Sequence, residues 1–296
     1  MSNNQQIDLT AAKEQYEKTL RDANKANATV VAYINDIEQL NDFLRERQKT
    51  DPAAVTADDI EDFKILLKTQ RYADKSISRK VNSIKSFFRY LADREIIAQN
   101  PAKSVPQPKY EQLPPKILTR EQYQALREAC RNDIRMTAIV ELLLQTGMRI
   151  SELASLRLSD LDFDNNIVNI ETTDTGVNRK VPLNEVAKNA LATYLKVRPR
   201  AREEIVFLTK TCRPFLIRNI RNSIDRYFKL AGLQTGKTKV KVNDLRHTFI
   251  VEQLRAGVPL IYISQLVGHK RVTTTEKYLV FIEQDKNPAD IKIETL

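Results

Sequence analysis

The sequence predicts a mainly α-helical protein of two domains, the second an α+β domain that carries a small β-hairpin. Residues 1–100 contain no glycine and a single proline, which favours helices throughout that region. Five of the eleven prolines fall between 101 and 115, which predicts an extended linker. Beyond it, a β-branched segment interrupts an otherwise helical pattern. The expected divisions are a helical domain at 1–104, a linker at 105–116 and a second domain at 117–296.

Four helices are expected in the first domain, three of them near 9–24, 27–48 and 56–70. The fourth is marked by apolar residues at steps of four and three, the spacing of one helix face: Ile77, Val81, Ile84, Phe88 and Leu91. Its other faces carry four basic residues: Arg79, Lys80, Lys85 and Arg89. Such a helix can contact DNA phosphates or can be a solvated charged face, and charge spacing alone leaves both open.

The second domain is expected to begin with a helix over 119–131, because the residues TREQ at its start form a capping-box pattern. The segments 167–170 and 180–182 flank a turn that contains Gly176, so they are expected to pair as the β-hairpin. Further helices are expected near 133–146, 184–197, 214–231, 244–255, 259–267 and 273–281.

The composition narrows the classes of function. Lys and Arg number 48 against 38 Asp and Glu, and the net charge of +10 points to a nucleic-acid partner. Two His and two Cys are too few for a zinc finger or an iron–sulfur site, so no metal or other cofactor is expected. Cys130 and Cys212 show no disulfide framework, the N-terminus is polar, and the apolar runs are short. We therefore expect a cytoplasmic protein with no membrane partner.

Three separated clusters carry the candidate chemistry. They contain Arg149, then Arg246, then His269 with Tyr278. Each is weak alone, because an Arg beside a Glu is usually a structural ion pair and a single His or Tyr usually packs. Together they suit attack of a tyrosine hydroxyl on a phosphodiester, in which two guanidinium groups hold the phosphate oxygens and a histidine adds a hydrogen bond. A tyrosyl phosphate keeps the bond energy, so neither ATP nor a metal is required.

These clusters resemble the motifs of the tyrosine recombinase family, the phage-integrase and Xer-type enzymes. Family members carry A/G-x-R-x-S-E-L, H-x-L-R-H-T, and L-G-H followed by T-T-x-x-Y. The matching segments here are GMRISEL at 147–153, NDLRHT at 243–248, LVGH at 266–269 and TTTEKY at 273–278. Their order and spacing also fit the family. The resemblance spans nearly the whole chain and implies a helical, SAM-like core-binding domain before the catalytic domain.

The resemblance implies a role for each of four residues. Arg149 and Arg246 would bind the scissile phosphate, and His269 would hydrogen-bond to it. Tyr278 would be the nucleophile that forms a 3′-phosphotyrosine link. Released 5′-hydroxyl groups would then attack the partner duplex, which gives a Holliday junction and strand exchange.

The resemblance also implies supporting roles, and it shows one departure. Glu152 and Asp160 would support Arg149 and its helix, and His247 would be structural rather than catalytic. Asn243 stands where the family usually has His or Lys, three residues before Arg246. An asparagine can donate a hydrogen bond but cannot shuttle a proton.

A second departure lies in the hairpin. The family usually carries a Lys there that protonates the leaving 5′-oxygen, and the expected position falls at Asp174 or Thr175. Lys180 or Arg179 could substitute, although Arg179 better matches a separate basic residue of that strand. Loss of a general acid typically costs about 10²–10⁴ in rate, so cleavage could be slow, could use another proton donor or could be lost.

The implied partner is a duplex DNA recombination site, gripped by both domains. Candidate phosphate contacts are the four basic residues of the first domain and Arg213, Arg218, Arg221, Lys237, Lys239 and Lys241 in the second. The resemblance implies a homotetramer on two duplexes. The tail after Tyr278 would exchange between protomers, or would pack on its own protomer. Few residues precede the first helix, which favours a two-domain enzyme without an N-terminal arm-binding domain.

The leading hypothesis is therefore an active site-specific DNA recombinase, in Xer-like resolution or in integration and excision of a mobile element. The alternative is an architectural or regulatory DNA-binding protein with a degenerate site. Asn243 and the missing hairpin Lys favour the alternative, whereas the four intact site residues oppose it. A topoisomerase or resolvase with the same chemistry on one duplex is a related possibility.

Overall fold

The computed structural model describes residues 7–111, 114–171, 178–234 and 239–283. The chain divides between residues 113 and 114 into two compact units, each with its own apolar core. Within the described ranges, no helix is long and apolar enough to cross a bilayer.

The N-terminal unit is built from helices, as the sequence predicts. They are α1 (Leu9–Asp22), α2 (Asn27–Glu46), α3 (Ala57–Thr69) and α4 (Asp74–Asp93), with a 3-10 turn at Pro52–Ala54. Thr56 and Asp59 form a capping box that starts α3. The five apolar residues that predicted α4 are all fully buried, so the spacing of four and three was the correct signal for that helix.

One basic residue of α4 does not lie where the sequence suggests. Lys80 is only 6% exposed, and its Nζ donates to Asp36 Oδ1 at 2.9 Å and to Gln39 Oε1 at 2.6 Å. Asp36 is 1% exposed and also accepts from Arg79 and from the Ser83 hydroxyl, the latter at 2.8 Å. A buried carboxylate in α2 needs a counter-charge, and Lys80 supplies it from α4.

The C-terminal unit combines helices with a three-stranded antiparallel sheet. The helices are α5 (Arg120–Cys130), α6 (Ile134–Thr146), α7 (Ile150–Ser155), α8 (Glu185–Val197), α9 (Ile217–Leu230), α10 (Val242–Arg255), α11 (Leu260–Val267), α12 (Thr273–Glu276) and α13 (Val280–Glu283). The strands are β1 (Leu161–Asp162), β2 (Ile167–Ile170) and β3 (Arg179–Pro182), in the order β1-β2-β3. The hairpin of β2 and β3 is as predicted, whereas β1 and α7 were not foreseen.

The strand register decides which side chains of β3 point inward. Val168 pairs with Val181, and both are buried. Because side chains alternate along a strand, Arg179 shares the inward face with Val181 and Lys180 takes the opposite face. Lys180 is exposed. The hairpin turn, which includes the expected lysine position at 174 or 175, lies outside the described residues.

The predicted helix over 273–281 is two short helices, α12 and α13, separated by a turn at 277–279. In the turn, Tyr278 N donates to Thr275 O at 3.0 Å and Leu279 N donates to Glu276 O at 2.9 Å, so the bonds close three residues back instead of four. Apolar spacing alone does not reveal such a tightening. The consequence is that Tyr278 lies in a turn, next to the core formed by α10 and α11.

The start of α9 also differs from the prediction, for a different reason. The helix predicted over 214–231 begins at Ile217. Pro214 bridges to Leu208, and Phe215 N donates to Phe207 O at 2.9 Å, so these residues extend a short pairing instead of a helix.

Candidate active site

Two glycines end the helices that lead into the site. Gly147 follows α6 with a φ of +61°, and Gly268 follows α11 with a φ of +68°. A side chain at Gly147 would collide with the Phe249 ring, and a Cβ at Gly268 would lie 2.9 Å from Arg179 Nη1. Left-handed backbone and close packing together therefore favour glycine at both positions.

The C-terminal end of α11 is the centre of the site. Three consecutive carbonyl groups there each accept a hydrogen bond from a different arginine. The pairs are Leu266 O with Arg179 Nε at 2.6 Å, Val267 O with Arg246 Nη2 at 2.6 Å, and Gly268 O with Arg149 Nη2 at 3.5 Å. A helix end leaves its last carbonyl groups without partners inside the helix and carries partial negative charge. Such an end can therefore gather three guanidinium groups.

Glu152 joins two of these arginines. Its carboxylate accepts from Arg149 Nη1 at 2.9 Å and from Arg179 Nη1 and Nη2 at 2.9 and 2.7 Å. It also accepts from the backbone N of Arg149 at 2.7 Å, which caps α7. Burial alone would raise the pKa of Glu152, but the hydrogen bonds and charges of Arg179 and Arg149 outweigh it and hold the pKa below its ordinary value. Glu152 is therefore ionised at neutral pH.

Arg246 is the more enclosed of the two predicted phosphate ligands. It is 7% exposed, and its Nη1 donates to Gly147 O at 2.7 Å. Burial, and then the charge of Arg149, lower the pKa of Arg246 to about 9, so it remains protonated at pH 7. Three guanidinium groups and one carboxylate give this cluster a net charge of about +2. That charge is suited to a phosphodiester and to the more negative state formed when a nucleophile adds to it.

His269 lies directly after the carbonyl groups of α11. Its Nδ1 is 2.8 Å from the hydroxyl of Thr275, which is fully buried. Burial, and then the charges of Arg246 and Arg149, lower the pKa of His269 to about 4. The ring is therefore neutral at pH 7 and can donate one hydrogen bond through a ring N–H.

Tyr278 is packed beside α10. It is 8% exposed, and its hydroxyl is 2.6 Å from His247 Nδ1. Burial raises the pKa of Tyr278, and the charge of Arg246 opposes part of that rise. Burial, and then Arg246, lower the pKa of His247 to about 4. Both groups are neutral at pH 7, so the hydrogen bond joins a phenol and a neutral imidazole.

Other predicted supporting residues lie outside this arrangement. Asn243 is exposed in the first turn of α10. Asp160 accepts from the backbone N of Arg157 at 2.7 Å and caps a 3-10 turn after α7. Lys180 lies on the opposite face of β3 from Arg179 and therefore faces away from the arginine cluster. It is poorly placed to replace the hairpin lysine.

Most of the candidate DNA contacts are surface residues. Exposed members of the set are Arg79, Arg89, Arg213, Arg218, Arg221, Lys239 and Lys241, and Lys85 is partly exposed. Lys80 is buried, as described above. Lys237 lies outside the described residues.

Sequence reasoning missed two features of the site. The contact of His247 with the tyrosine hydroxyl has no local sequence signal, because the two residues are 31 positions apart. Arg179 binds Glu152 and a helix carbonyl group, and only the strand register places it there. A signal for α7 was available, since a glutamate three residues after Arg149 is half of a capping box. Among the described residues, no group of three His, Cys, Asp or Glu side chains could hold a metal ion.

Two family models match this chain. The model of the Phage integrase family matches residues 116–283, and the model of the phage integrase N-terminal SAM-like domain matches residues 13–98. Among curated relatives, a tyrosine recombinase XerC from Roseiflexus castenholzii is 32% identical over 281 residues, which covers 90% of this chain and 88% of that protein.

Solved structures give a consistent result. A XerA recombinase is 27% identical, with a TM-score of 0.53, and the match covers 94% of this chain and 99% of that one. A lambda integrase tetramer bound to a Holliday junction is 19% identical, with a TM-score of 0.74, over 92% of this chain and 80% of that one. The second likeness concerns the fold alone.

Proposed function

The chain belongs to the phage integrase family and is a tyrosine-type site-specific DNA recombinase, and on that premise we propose which residues perform the reaction. Tyr278 attacks a phosphodiester of duplex DNA, while Arg149 and Arg246 bind its nonbridging oxygens. His269 donates a hydrogen bond to the same phosphate. Glu152 and Arg179 are positioning residues that hold Arg149 and the end of α11 in place.

One observation carries this proposal: the gathering of three arginines at the end of α11. Together with Glu152 they carry a net charge of about +2. The carbonyl groups that hold them lie on the chain segment that continues through His269 to Tyr278. A phosphodiester carries one negative charge, and the state formed during attack carries more. Buried, fixed donors stabilise that developing charge without having to reorganise, and in many enzymes such stabilisation accounts for most of the rate enhancement.

The reaction proceeds by exchange of one ester for another. Tyr278 Oη bonds to phosphorus as the bond from phosphorus to the 5′-oxygen breaks, which leaves a 3′-phosphotyrosine and a free 5′-hydroxyl. Attack by a 5′-hydroxyl of the partner duplex reverses the chemistry and joins the strands. Four protomers on two duplexes would allow this through a Holliday junction, and the lambda integrase tetramer on such a junction supports that assembly.

DNA binding is assigned to both units. In the C-terminal unit, Arg218 and Arg221 are exposed near the start of α9, and Lys239 and Lys241 are exposed before α10. In the proposed core-binding domain, residues 1–104, Arg89 is exposed on α4. Such residues contact phosphates and carry little sequence information, so affinity should fall steeply as salt is raised.

The test begins by finding a binding site. Random-sequence duplexes are selected on the immobilised protein, and a nick is placed near the centre of the recovered site so that the cleaved strand end diffuses away. We expect a protein–DNA adduct that survives SDS with the wild type and is absent with Tyr278→Phe. Tight binding without an adduct for any nick position would instead identify a DNA-binding protein with a degenerate site.

A further inference from the structure

The two histidines of the chain make different contacts. His269 Nδ1 lies 2.8 Å from the Thr275 hydroxyl, whereas His247 Nδ1 lies 2.6 Å from the hydroxyl of Tyr278. Within the described residues, His247 is therefore the imidazole that touches the candidate nucleophilic atom. The ring centroids of His247 and Tyr278 are 5.7 Å apart and their planes meet at 34°, so the contact runs between polar atoms and is not a stack.

The position where a proton-transfer group is expected cannot provide one. Asn243 is an amide on the exposed first turn of α10, and an amide cannot take up a proton at neutral pH. His247 lies four residues further along the same helix, close to one helical turn away. The helix therefore presents an imidazole to the tyrosine from a different position.

We propose that His247 is a catalytic residue whose Nδ1 accepts the hydroxyl proton of Tyr278 during cleavage and returns it during rejoining. This inference rests on the proposed role of Tyr278 as nucleophile. In cleavage, the Oη–P bond forms, the P–O5′ bond breaks, the phenol proton moves to Nδ1, and the 5′-oxygen takes a proton from water. In rejoining, a 5′-hydroxyl attacks phosphorus and gives its proton to the hydroxide left by cleavage, the P–Oη bond breaks, and the imidazolium returns its proton to Oη.

The electrostatics of the site determine when the proton can move. The pKa of His247 is lowered to about 4 by burial and by Arg246, so its lone pair is free at pH 7. The pKa of Tyr278 is raised by burial, so a preformed phenolate is strongly disfavoured. Transfer must therefore accompany formation of the Oη–P bond. A bound phosphate opposes the charge of Arg246, which raises the proton affinity of His247 as the reaction proceeds.

The polarity of the hydrogen bond can be measured without DNA. Because the chain has two histidines, selective ¹⁵N-histidine labelling gives two imidazole spin systems, and His247→Asn assigns them. We expect His247 to be the tautomer with an unprotonated Nδ1, and its Nδ1 resonance to move in Tyr278→Phe. A His247 that carries its proton on Nδ1 would donate to the tyrosine and could not act as its base.

Single-turnover adduct formation on the nicked duplex tests the chemistry. In His247→Asn, the amide oxygen can occupy the place of Nδ1 and accept the hydrogen bond, but it cannot hold the proton. We expect the rate at pH 7 to fall about 10²–10³-fold. The loss should shrink about tenfold for each pH unit up to pH 9, since hydroxide then removes the proton. His269→Asn is the matched control, and its loss should not shrink with pH.

A substrate with sulfur in place of the leaving 5′-oxygen distinguishes a general base from a general acid. A thiolate leaves without a proton, so the defect of His247→Asn should persist on that substrate, whereas full recovery would make His247 the acid and overturn the proposal. Equal melting temperatures and DNA affinities for wild type and variant exclude misfolding as the cause. If the wild type forms no adduct, the proposed function fails. If it does and His247→Asn cleaves within about threefold of it at every pH, this inference alone fails.

Discussion

Two buried cations, Lys80 in the N-terminal unit and Arg246 in the C-terminal unit, are almost equally hidden from solvent but are held by different partners. Lys80 is 6% exposed and Arg246 is 7% exposed. The ammonium of Lys80 binds the carboxylate of Asp36, a counter-ion that it shares with the exposed guanidinium of Arg79. The guanidinium of Arg246 binds the carbonyl oxygens of Gly147 and Val267, which leave its charge in place. Burial alone therefore does not distinguish a structural cation from a functional one.

The difference has a physical basis. A buried charge is costly unless it is paired, so a protein that keeps one unneutralised gives up stability at that point. The N-terminal unit pairs its buried cation with a carboxylate, and α2 and α4 are joined by that pair. The C-terminal unit concentrates uncancelled charge at the end of α11, where a negatively charged ligand can supply the missing counter-charge. Groups perturbed in this way are typical of active sites.

The largest expected effect comes from removing each cation in turn. Arg246→Met should slow adduct formation by at least about 10³-fold, or about 4 kcal/mol, because charge and donors for the transition state are lost. Its free energy of unfolding should change by less than about 1 kcal/mol, since removal of an unpaired buried charge offsets the loss of the hydrogen bonds to Gly147 O and Val267 O. Lys80→Met is the matched variant and should show the reverse, a loss of about 1–3 kcal/mol of stability with normal cleavage per folded molecule.

Urea unfolding gives the free energy of unfolding, and single-turnover cleavage on the same preparations gives the rate of adduct formation. Equal stability losses for the two variants would remove the distinction between a structural and a functional cation. A cleavage defect in Lys80→Met at full occupancy of DNA would place the N-terminal ion pair in the reaction as well.

Sequence patterns predicted much of this molecule, but they did not distinguish the structural buried cation from the functional one. The spacing of Ile77 to Leu91 predicted a helix correctly, since one face of α4 is buried and periodicity reports burial. The same pattern could not show that Lys80 faces Asp36, because that contact joins residues 44 positions apart. Motif resemblance named Arg149 and Arg246 as candidate phosphate ligands. It carried no information about the carbonyl groups that hold them.

The break between α12 and α13 shows where periodicity stops being informative. The sequence predicts one helix across 273–281, yet the hydrogen bonds shorten to three residues around Tyr278. Side-chain bonds from His269 to Thr275 and from His247 to Tyr278 fix that turn from other elements. Tertiary contacts thus decide the local structure where the candidate nucleophile lies, and a linear pattern cannot include them.

An intermediate effect is expected at Glu152, the carboxylate of the C-terminal cluster. Its folded-state pKa is lowered, so its ionised form contributes stability that is fully present above about pH 4.3 and is lost as the pH falls through the folded pKa. Glu152→Gln should therefore reduce the free energy of unfolding by about 2 kcal/mol at pH 7. Wild type and variant should converge as the pH is lowered below about 4.

Urea unfolding of both proteins from about pH 7 down to about pH 3.5 measures this convergence. A difference that stays constant over the whole range would mean that Glu152 contributes through packing and neutral hydrogen bonds. In that case the ionisation of Glu152 would contribute nothing to stability, and the comparison with the ion pair of Lys80 and Asp36 would lose its basis.

The smallest effect is expected from a methyl group at the end of α11, and it separates backbone strain from crowding of the arginines. Gly268 and Gly257 both follow helices with left-handed backbone, at φ of +68° and +80°. An added Cβ at Gly257 meets no atom within 4 Å, whereas at Gly268 it lies 2.9 Å from Arg179 Nη1.

Both alanine variants should lose about 1 kcal/mol from the left-handed conformation. Gly268→Ala should additionally displace Arg179 from Glu152 and slow adduct formation by about threefold to tenfold, whereas Gly257→Ala should cleave normally. Thermal melts and single-turnover rates on the two variants give the comparison. Equal cleavage by both would mean that Arg179 can shift without disturbing Arg149, and that the charge of the cluster matters more than the exact position of its supporting arginine.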